Sequence, residues 1–387
     1  MRKGCYFTIV IVALALLSLI SGPAMAVHER EERGPNIFSE ISERVSMGGL
    51  VLFNYYWADI GLLSGSRLGE DFSQSDVLAT NIILDFDAEV NDWVNIYAAL
   101  YYEEEGISYV SMFLQNVHGV DAPEPEVTWD EAVVTMGDTE KFPFYLAAGK
   151  MYIPFGALQT HFVHDPLMDA PMTLIMGETQ KNAVLLGAEQ DGFSVSAYTF
   201  RGEWDNNVAS QYGVDACYER VCEEGPELLV GASYISNIAE SDHLAEVIQE
   251  NIGSDEEIED EVEAYAAYFR IGIAGAFLEA EYMAAMDKFD PNELANDTGK
   301  GAEPWVLHLE AGYNFNVMDR PLEVALQYAM NDELLILPDE RYGICAHLEI
   351  FSNPTLSAAY CHDEFNDANP LGIDEVDWVV SQLEVQF

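Results

Sequence analysis

Apolar and polar side chains alternate one for one along many stretches of this chain. Between residues 78 and 90, for example, aliphatic and aromatic residues alternate with Asn81, Asp85, Asp87 and Glu89. Successive side chains of a β-strand point to opposite faces, so this pattern predicts strands with one apolar and one acidic face. The same alternation returns after a turn at 91–92 and at 278–284, 305–315, 322–330, 344–350 and 376–387.

The connections between these stretches fall into two length classes. Short connections are expected at 91–92, 138–142, 190–192, 273–275, 316–320 and 352–354. Long connections are expected at 58–76, 104–125, 153–180, 203–226, 287–303 and 364–375. The strands of a β-sandwich also alternate apolar and polar residues. Here, however, the apolar faces have Trp, Tyr and Phe near the strand ends, where membrane barrels have their interfacial aromatic girdles. The pattern predicts an all-β fold, a transmembrane antiparallel β-barrel of about sixteen strands with short periplasmic turns and long extracellular loops.

One segment, 242–253, is read differently by its local pattern and by the predicted topology. Leu244, Val247, Ile248 and Ile252 have helical spacing. Counted from the N-terminus, however, the strand near 227–236 runs downward, and counted back from the C-terminus the strand near 262–272 also runs downward. One upward strand must therefore lie between them, which would give the even number of strands expected of a bacterial barrel. We therefore favour a strand at 242–253 and keep a helix as the alternative.

The first residues are typical of an export signal. Arg2 and Lys3 precede an apolar run at 7–20, and Ala24-Met25-Ala26 is a small-residue cleavage pattern. The alternative, a membrane anchor, is disfavoured because the run is short. We expect a signal peptide at 1–26, a short periplasmic segment at 27–45 and the barrel at 46–387. The expected location is the outer membrane of a Gram-negative bacterium, and Phe387 is the expected signal for the barrel assembly machinery.

The chain is strongly acidic, with a formal net charge of −52. This charge excludes nucleic acid as a partner, since phosphate binding needs basic residues. The apolar share of 49% is too high for a disordered chain. On the predicted strands, the carboxylates expected to face the lumen are Asp85, Asp87, Glu89, Glu279, Glu281, Glu310, Glu323, Glu349 and Glu384. Such a lumen should favour cations and resist small anions.

Four cysteines follow the predicted signal peptide. Cys217 and Cys222 are expected to close a short disulfide loop between two strands. Cys345 and Cys361 are expected to stand directly opposite each other across a hairpin centred on Asn353, at a separation that suits a disulfide. Unbridged buried thiols are the alternative for both pairs.

Several stretches resemble a known family. The segments 131–140 and 142–156, with Asp165-Pro166-Leu167, Gly177-Glu178-Thr179 and Ala183-Val184-Leu185-Leu186-Gly187, are similar to those of the LbtU family of siderophore porins. The resemblance covers most of the mature chain. It implies a TonB-independent outer-membrane channel that admits a ferric siderophore. Gly149-Lys150-Met151-Tyr152-Ile153-Pro154-Phe155-Gly156 also resembles phosphate-selective porins, so this motif indicates porin architecture better than it indicates a ligand.

The long connection 153–180 is the predicted constriction, a loop folded into the barrel. The residues that could contact solute there are Lys150, His161, His164, Asp165, Asp169 and Glu178. Ordinary loop polarity explains the histidines and carboxylates more readily than a metal site does, so no metal and no cofactor is predicted. No nucleophile motif occurs, and we predict no enzyme. The expected partners are outer-membrane lipid and a small-molecule solute, with a homotrimer as a further expectation. A general cation-preferring porin is the alternative function, and charge disfavours a phosphate-selective-type porin.

Overall fold

The computed structural model describes residues 44–64, 66, 69–103, 126–157, 171–204, 209–221, 225–253, 258, 261–350 and 353–387. The expected signal peptide and nearly all of the expected periplasmic segment at 27–45 therefore lie outside the described residues.

The described residues form sixteen strands. They are β1 Val45–Leu62, β2 Phe72–Asn91, β3 Val94–Glu103, β4 Glu126–Gly137, β5 Phe144–Tyr152, β6 Gln180–Gln190, β7 Phe193–Phe200, β8 Gln211–Arg220, β9 Glu227–Ile235, β10 Ala264–Ile273, β11 Ala276–Ala285, β12 Trp305–Val317, β13 Arg320–Asp332, β14 Glu340–Glu349, β15 Pro354–Glu364 and β16 Ile373–Gln386. Helix α1 is Met172–Gly177, a 3-10 turn is Ile238–Glu240, and helix α2 is Asp242–Ile252.

Each strand is antiparallel to the next, and β1 pairs with β16, which closes the barrel. At the seam Tyr55 stands opposite Ser381, and Phe387 exchanges two backbone hydrogen bonds of 3.0 Å with Gly49. Closure leaves no strand edge unpaired, as a bilayer requires. The predicted closed antiparallel barrel is confirmed. In the part of the chain described above, no helix is both long and apolar enough to cross a bilayer.

The alternation read from the sequence separates an inward from an outward face. On β16, Trp378, Val380 and Glu384 are buried and point inward, whereas Leu383 and Val385 lie in the more exposed outward series. The outward face has large apolar side chains because it meets lipid, while the inward face combines polar residues with packed aromatic ones.

Two elements differ from their predicted positions, and the two differences cancel in the strand count. The predicted long loop 203–226 contains β8, Gln211–Arg220, and the favoured strand at 242–253 is helix α2. The Ser241 hydroxyl caps α2 by accepting from the Leu244 N–H, and Gly253 ends it with a φ of 98°. Helical spacing of the apolar residues was therefore the correct signal, and the missing strand lay upstream.

Inward-facing aromatic rings lie over glycines of the neighbouring strand. Directly opposed pairs are Tyr145 with Gly187, Tyr198 with Gly213, Tyr268 with Gly231 and Phe277 with Gly312. A Cβ at any of these glycines would lie 2.2–2.3 Å from the opposing side chain. Glycine here leaves room for the ring, which covers the strand backbone in return.

Candidate functional site in the barrel interior

The connection from β5 to β6 enters the barrel. Ile153 and Phe155 have no exposed surface, and all of α1 is buried. Helix α1 packs against β11, β12 and β13, which lie across the barrel from β5 and β6. A segment can reach those strands only through the interior, so the described ends of this connection narrow the lumen. The candidates His161, His164, Asp165 and Asp169 lie outside the described residues.

The connection from β9 to β10 also contributes to the interior. Helix α2 packs on α1 with Leu244, Val247 and Ile248 buried. Its first N–H, from Asp242, donates to the carbonyl of Glu178 at 2.8 Å. The candidate Glu178 thus lies where α1 ends and meets α2. The sequence pattern predicted the first of these two interior segments but not the second.

Carboxylates buried near α2 have perturbed acidity. Burial raises the pKa of Asp242, although the Lys181 ammonium 3.3 Å away acts in the opposite direction. Burial also raises the pKa of Glu240, whose carboxylate accepts from the backbone N–H of Glu203. Burial lowers the pKa of His243 to about 4, which keeps its imidazole neutral near neutral pH. As the pH falls, the carboxylates therefore favour the packed segment, whereas the imidazole opposes it.

The nine predicted lumen carboxylates all fall in the inward-facing series. Glu279, Glu281, Glu310 and Glu384 are buried, Asp85, Asp87 and Glu323 are half-buried, and Glu89 and Glu349 are exposed. The register supports this: Asp85 stands opposite Gly48 and Ala99, and Glu349 stands opposite the inward Thr355.

Three inward cations of the described strands are each engaged by carboxylates. Lys181 lies 2.8 Å from Glu203 and 3.3 Å from Asp242. Arg270 lies 3.2 Å from Glu279, and the fully buried Arg341 makes two hydrogen bonds, of 2.6 and 2.8 Å, to Asp363. Lys181 and Arg341 were not among the predicted lumen residues. Each is an even number of residues from a buried neighbour on the same strand, Ala183 and Cys345 respectively, and this spacing would have placed both on the inward face.

Lys150 was predicted at the constriction, and that placement is wrong. Its cross-strand partners are Ala132 and Asn182, both exposed, whereas the inward series of β5 is Ala147 and Met151. The Lys150 ammonium donates to the carbonyl of Trp129 at 2.7 Å. Strand alternation turns this lysine to the outer face, so it cannot form a positive strip in the lumen.

The cysteine geometry also differs from the prediction. Cys345 stands opposite Ala359, and Cys361 opposite Gly343, so the two cysteines are diagonal neighbours. Diagonal positions are about 7–8 Å apart, beyond the spacing of about 3.5–4.5 Å between the Cβ atoms of a disulfide. Both are thiols here, as is Cys217, which lies in β8 and not in a loop. Cys222 lies outside the described residues.

Comparison with known proteins identifies relatives for most of the chain. No known protein-family model matches it. A UPF0422 protein of Coxiella burnetii is 28% identical over 291 residues, which are 72% of this chain and 57% of that protein. A UPF0422 protein of Legionella pneumophila strain Lens is 23% identical over 307 residues, 75% of this chain and 55% of that protein. The chain thus spans a little more than half the length of these relatives.

Solved structures share the barrel. Pseudomonas putida OprB has a TM-score of 0.57 at 7% identity, covering 89% of this chain and 95% of that one. The anion-selective porin from Comamonas acidovorans has a TM-score of 0.54 at 12% identity, covering 89% and 99%. The outer membrane channel DcaP of Acinetobacter baumannii has a TM-score of 0.53 at 10% identity, covering 89% and 97%. The chain is therefore similar to UPF0422 proteins of Gram-negative bacteria, has the fold of outer-membrane porins and channels, and belongs in the outer membrane.

Proposed function

We propose that this protein is an outer-membrane channel that admits a ferric siderophore, or a solute of similar size, by diffusion without TonB. The observation that carries the proposal is a closed barrel with carboxylates along its inward face and with the β5–β6 connection folded into its interior. The resemblance to the LbtU family supports the siderophore as cargo.

Charge narrows the cargo class. Lys181, Arg270 and Arg341 are already engaged by carboxylates, and Lys150 points outward. A pore that selects anions needs rings of available Lys and Arg. The interior therefore favours a neutral or cationic ferric chelate, such as a ferric hydroxamate, and repels a multiply charged anion such as ferric citrate.

Uptake of radiolabelled iron tests this proposal. Cells lacking TonB and their own porins would be compared with and without this protein, using ferric hydroxamate and ferric citrate at equal concentration. We expect the protein to raise hydroxamate uptake and to leave citrate uptake nearly unchanged. Equal stimulation of both chelates and of an uncharged sugar would instead identify a general porin, the second candidate, which the cation-favouring wall also supports. No stimulation of any solute would reject a channel.

Two partner proposals accompany this function. The terminal Phe387 is proposed as the signal for the barrel assembly machinery, and its ring is 62% exposed next to the seam. A homotrimer is proposed as the assembly. Deleting Phe387 should slow insertion into the membrane, measured by the appearance of heat-modifiable protein in pulse-labelled cells.

A further inference from the structure

Two glutamates face each other on the inward wall of the barrel. Glu279 on β11 stands directly opposite Glu310 on β12, and their exposed fractions are 8% and 3%. Like charges at directly opposed strand positions destabilise a sheet, and burial increases the cost. Something must therefore compensate this pair.

One described ion pair involves this pair of glutamates through Glu279. Arg270 forms an ion pair with Glu279, and the carboxylate of Glu281 lies one inward position away on the same strand. Arg341 is held by Asp363. Glu279, Glu281 and Glu310 thus bring three carboxylates to one place on the inward wall. A divalent cation would lower the cost of holding them so close together.

His308 provides an independent observation. It stands on β12 opposite Glu281 and has no exposed surface. Its Nδ1 lies 3.3 Å from the side-chain amide of Gln327. Its Nε2 has no hydrogen-bond partner among the residues that the structure describes, and it points toward Glu310, 3.8 Å from Oε2. A buried imidazole nitrogen without a hydrogen bond is costly unless something binds it.

The geometry points to a metal site: we propose that Glu279, His308 and Glu310 bind one divalent transition-metal ion, with Zn²⁺ and Mn²⁺ as the best candidates. One ligand atom from each residue lies within 4.8 Å of the others. Two ligands that are each about 2.1 Å from a metal lie about 3.0–4.2 Å apart, so small side-chain rotations complete the site. The imidazole suits Zn²⁺, and the two carboxylates also suit Mn²⁺, whereas Ca²⁺ and Mg²⁺ prefer sites made of oxygen ligands only.

The surroundings suit an ion of this size. A cavity of about 10 Å³, about the volume that one water-sized species needs, adjoins two of the three ligands: Glu279 and His308 line it with Arg270, Glu281 and the apolar Ala157, Leu229, Phe269 and Ala280. Turning the Gln327 amide by 180° would let its oxygen accept a hydrogen bond from the Nδ1–H of His308. Metal-bound histidines commonly donate their other ring N–H to an oxygen in this way.

The site adjoins the connection that narrows the lumen. The Ala157 N–H donates to Glu281 at 2.6 Å, and the Gly156 N–H donates to Ser233 at 3.0 Å. A cation that neutralises this wall would stabilise the residues to which the connection is anchored. The inference does not depend on which solute passes through the barrel.

Mn²⁺ binding to the untagged, detergent-solubilised full chain tests the site. Electron paramagnetic resonance would be recorded with excess Mg²⁺ present, so that exposed carboxylates do not retain Mn²⁺. We expect one tightly bound Mn²⁺ per chain, with electron spin echo modulation from one imidazole nitrogen. His308→Gln and Glu310→Gln should each weaken binding more than about tenfold. Glu349→Gln, an exposed inward carboxylate elsewhere, should leave binding unchanged.

Folding of each variant is checked by its heat-modifiable migration in gels. If His308→Gln does not fold, His347→Gln and His362→Gln replace it: the nitrogen signal must persist in both. Absence of stoichiometric Mn²⁺ binding, absence of nitrogen coupling in the wild type, or undiminished binding in folded His308→Gln would each overturn the inference. Zn²⁺ should displace the bound Mn²⁺, and failure to do so would count against a histidine-containing site.

Discussion

The inward-facing glycines of this barrel are packing positions. Gly187 lies directly opposite Tyr145, and a Cβ there would approach the Tyr145 ring to 2.2 Å. Gly187 does not have a positive φ, so no backbone strain is involved, and the three atoms nearest to that Cβ all belong to the Tyr145 side chain. The tyrosine ring covers the backbone of Gly187 and occupies the space that a side chain would take.

Gly187→Ala is expected to destabilise the barrel. Overpacking of this kind costs about 1–3 kcal/mol, because the Tyr145 ring must leave its position over the neighbouring strand. The free energy of unfolding would be measured by guanidinium titration of the protein in lipid vesicles.

A double-mutant cycle separates ring displacement from a general effect of the methyl group. In a Tyr145→Ala background the methyl has room, so Gly187→Ala should cost much less than in the wild type. Equal costs in the two backgrounds would contradict the packing explanation.

At the scale of elements, α2 is held inside the barrel by contacts that include several carboxylates. Glu240 has no exposed surface, and Asp242 accepts from the Gln180 N–H at 2.9 Å. The pKa values of both are raised chiefly by burial. The protonated forms therefore suit the packed state better than the charged forms do.

Protonation of these two carboxylates should therefore strengthen the packing of α2 as the pH falls. An unfolded Glu titrates near about 4.3 and an Asp near about 3.9. Because the folded values are higher, the packed state binds more protons above these values, and its stability rises as the pH falls toward them. In a His243→Gln background, which removes an opposing titration, hydrogen exchange of the α2 amides, corrected for intrinsic rates, should be slower relative to full exposure at about pH 5 than at about pH 7.5.

His243 acts in the opposite direction, so a variant is needed to isolate the carboxylate. Its pKa is lowered to about 4, and the unpacked state gains a proton first as the pH falls. Glu240→Gln should raise α2 protection near neutral pH and flatten the pH profile. Asp319→Asn, in a turn at the other end of the barrel, is the matched control and should change neither. Unchanged protection in Glu240→Gln would remove Glu240 as the cause.

The barrel could be predicted from alternation, but the interior could be predicted only in part. β8 was missed because its inward residues Gly213, Asp215 and Cys217 suggest a loop, whereas its outward residues Tyr212 and Val214 alternate correctly. Gly213 is required by the ring of Tyr198, a contact with another strand that local sequence cannot reveal.

The candidate site shows the same limit. Parity along a strand places Glu279 and Glu310 on the inward face, as the sequence analysis expected. Register between strands decides which inward residues meet, and it is set by turn length and packing. For that reason the opposition of Glu279 to Glu310, and the diagonal relation of Cys345 to Cys361, became visible only in the structure.

For the whole molecule, the proposed channel function makes the balance of charge inside the barrel the main determinant of what could pass. The inward carboxylates outnumber the inward cations of the described strands, and Lys181, Arg270 and Arg341 are each engaged by a carboxylate. Exposed carboxylates toward the short-turn end, such as Glu89 and Glu349, remain open to solution. A concave, acidic wall raises the local concentration of cations and lowers that of anions.

This balance predicts a cation-preferring pore whose preference can be reduced by mutation. In planar bilayers under a KCl gradient, the sign of the reversal potential should show that K⁺ is more permeant than Cl⁻. This preference should weaken at high salt, because salt screens the charges of the wall.

The triple variant Asp85→Asn, Asp87→Asn, Glu89→Gln should lower the K⁺/Cl⁻ permeability ratio severalfold, because these inward carboxylates lie on one strand toward the short-turn end. A matched triple of outer carboxylates, Asp290→Asn, Asp297→Asn and Glu303→Gln in the β11–β12 connection, should change the ratio less, since those side chains lie beyond the strands. Preference for Cl⁻ in the wild type would contradict the charge argument, and an unaltered ratio in the inward triple would place the selective region elsewhere in the barrel.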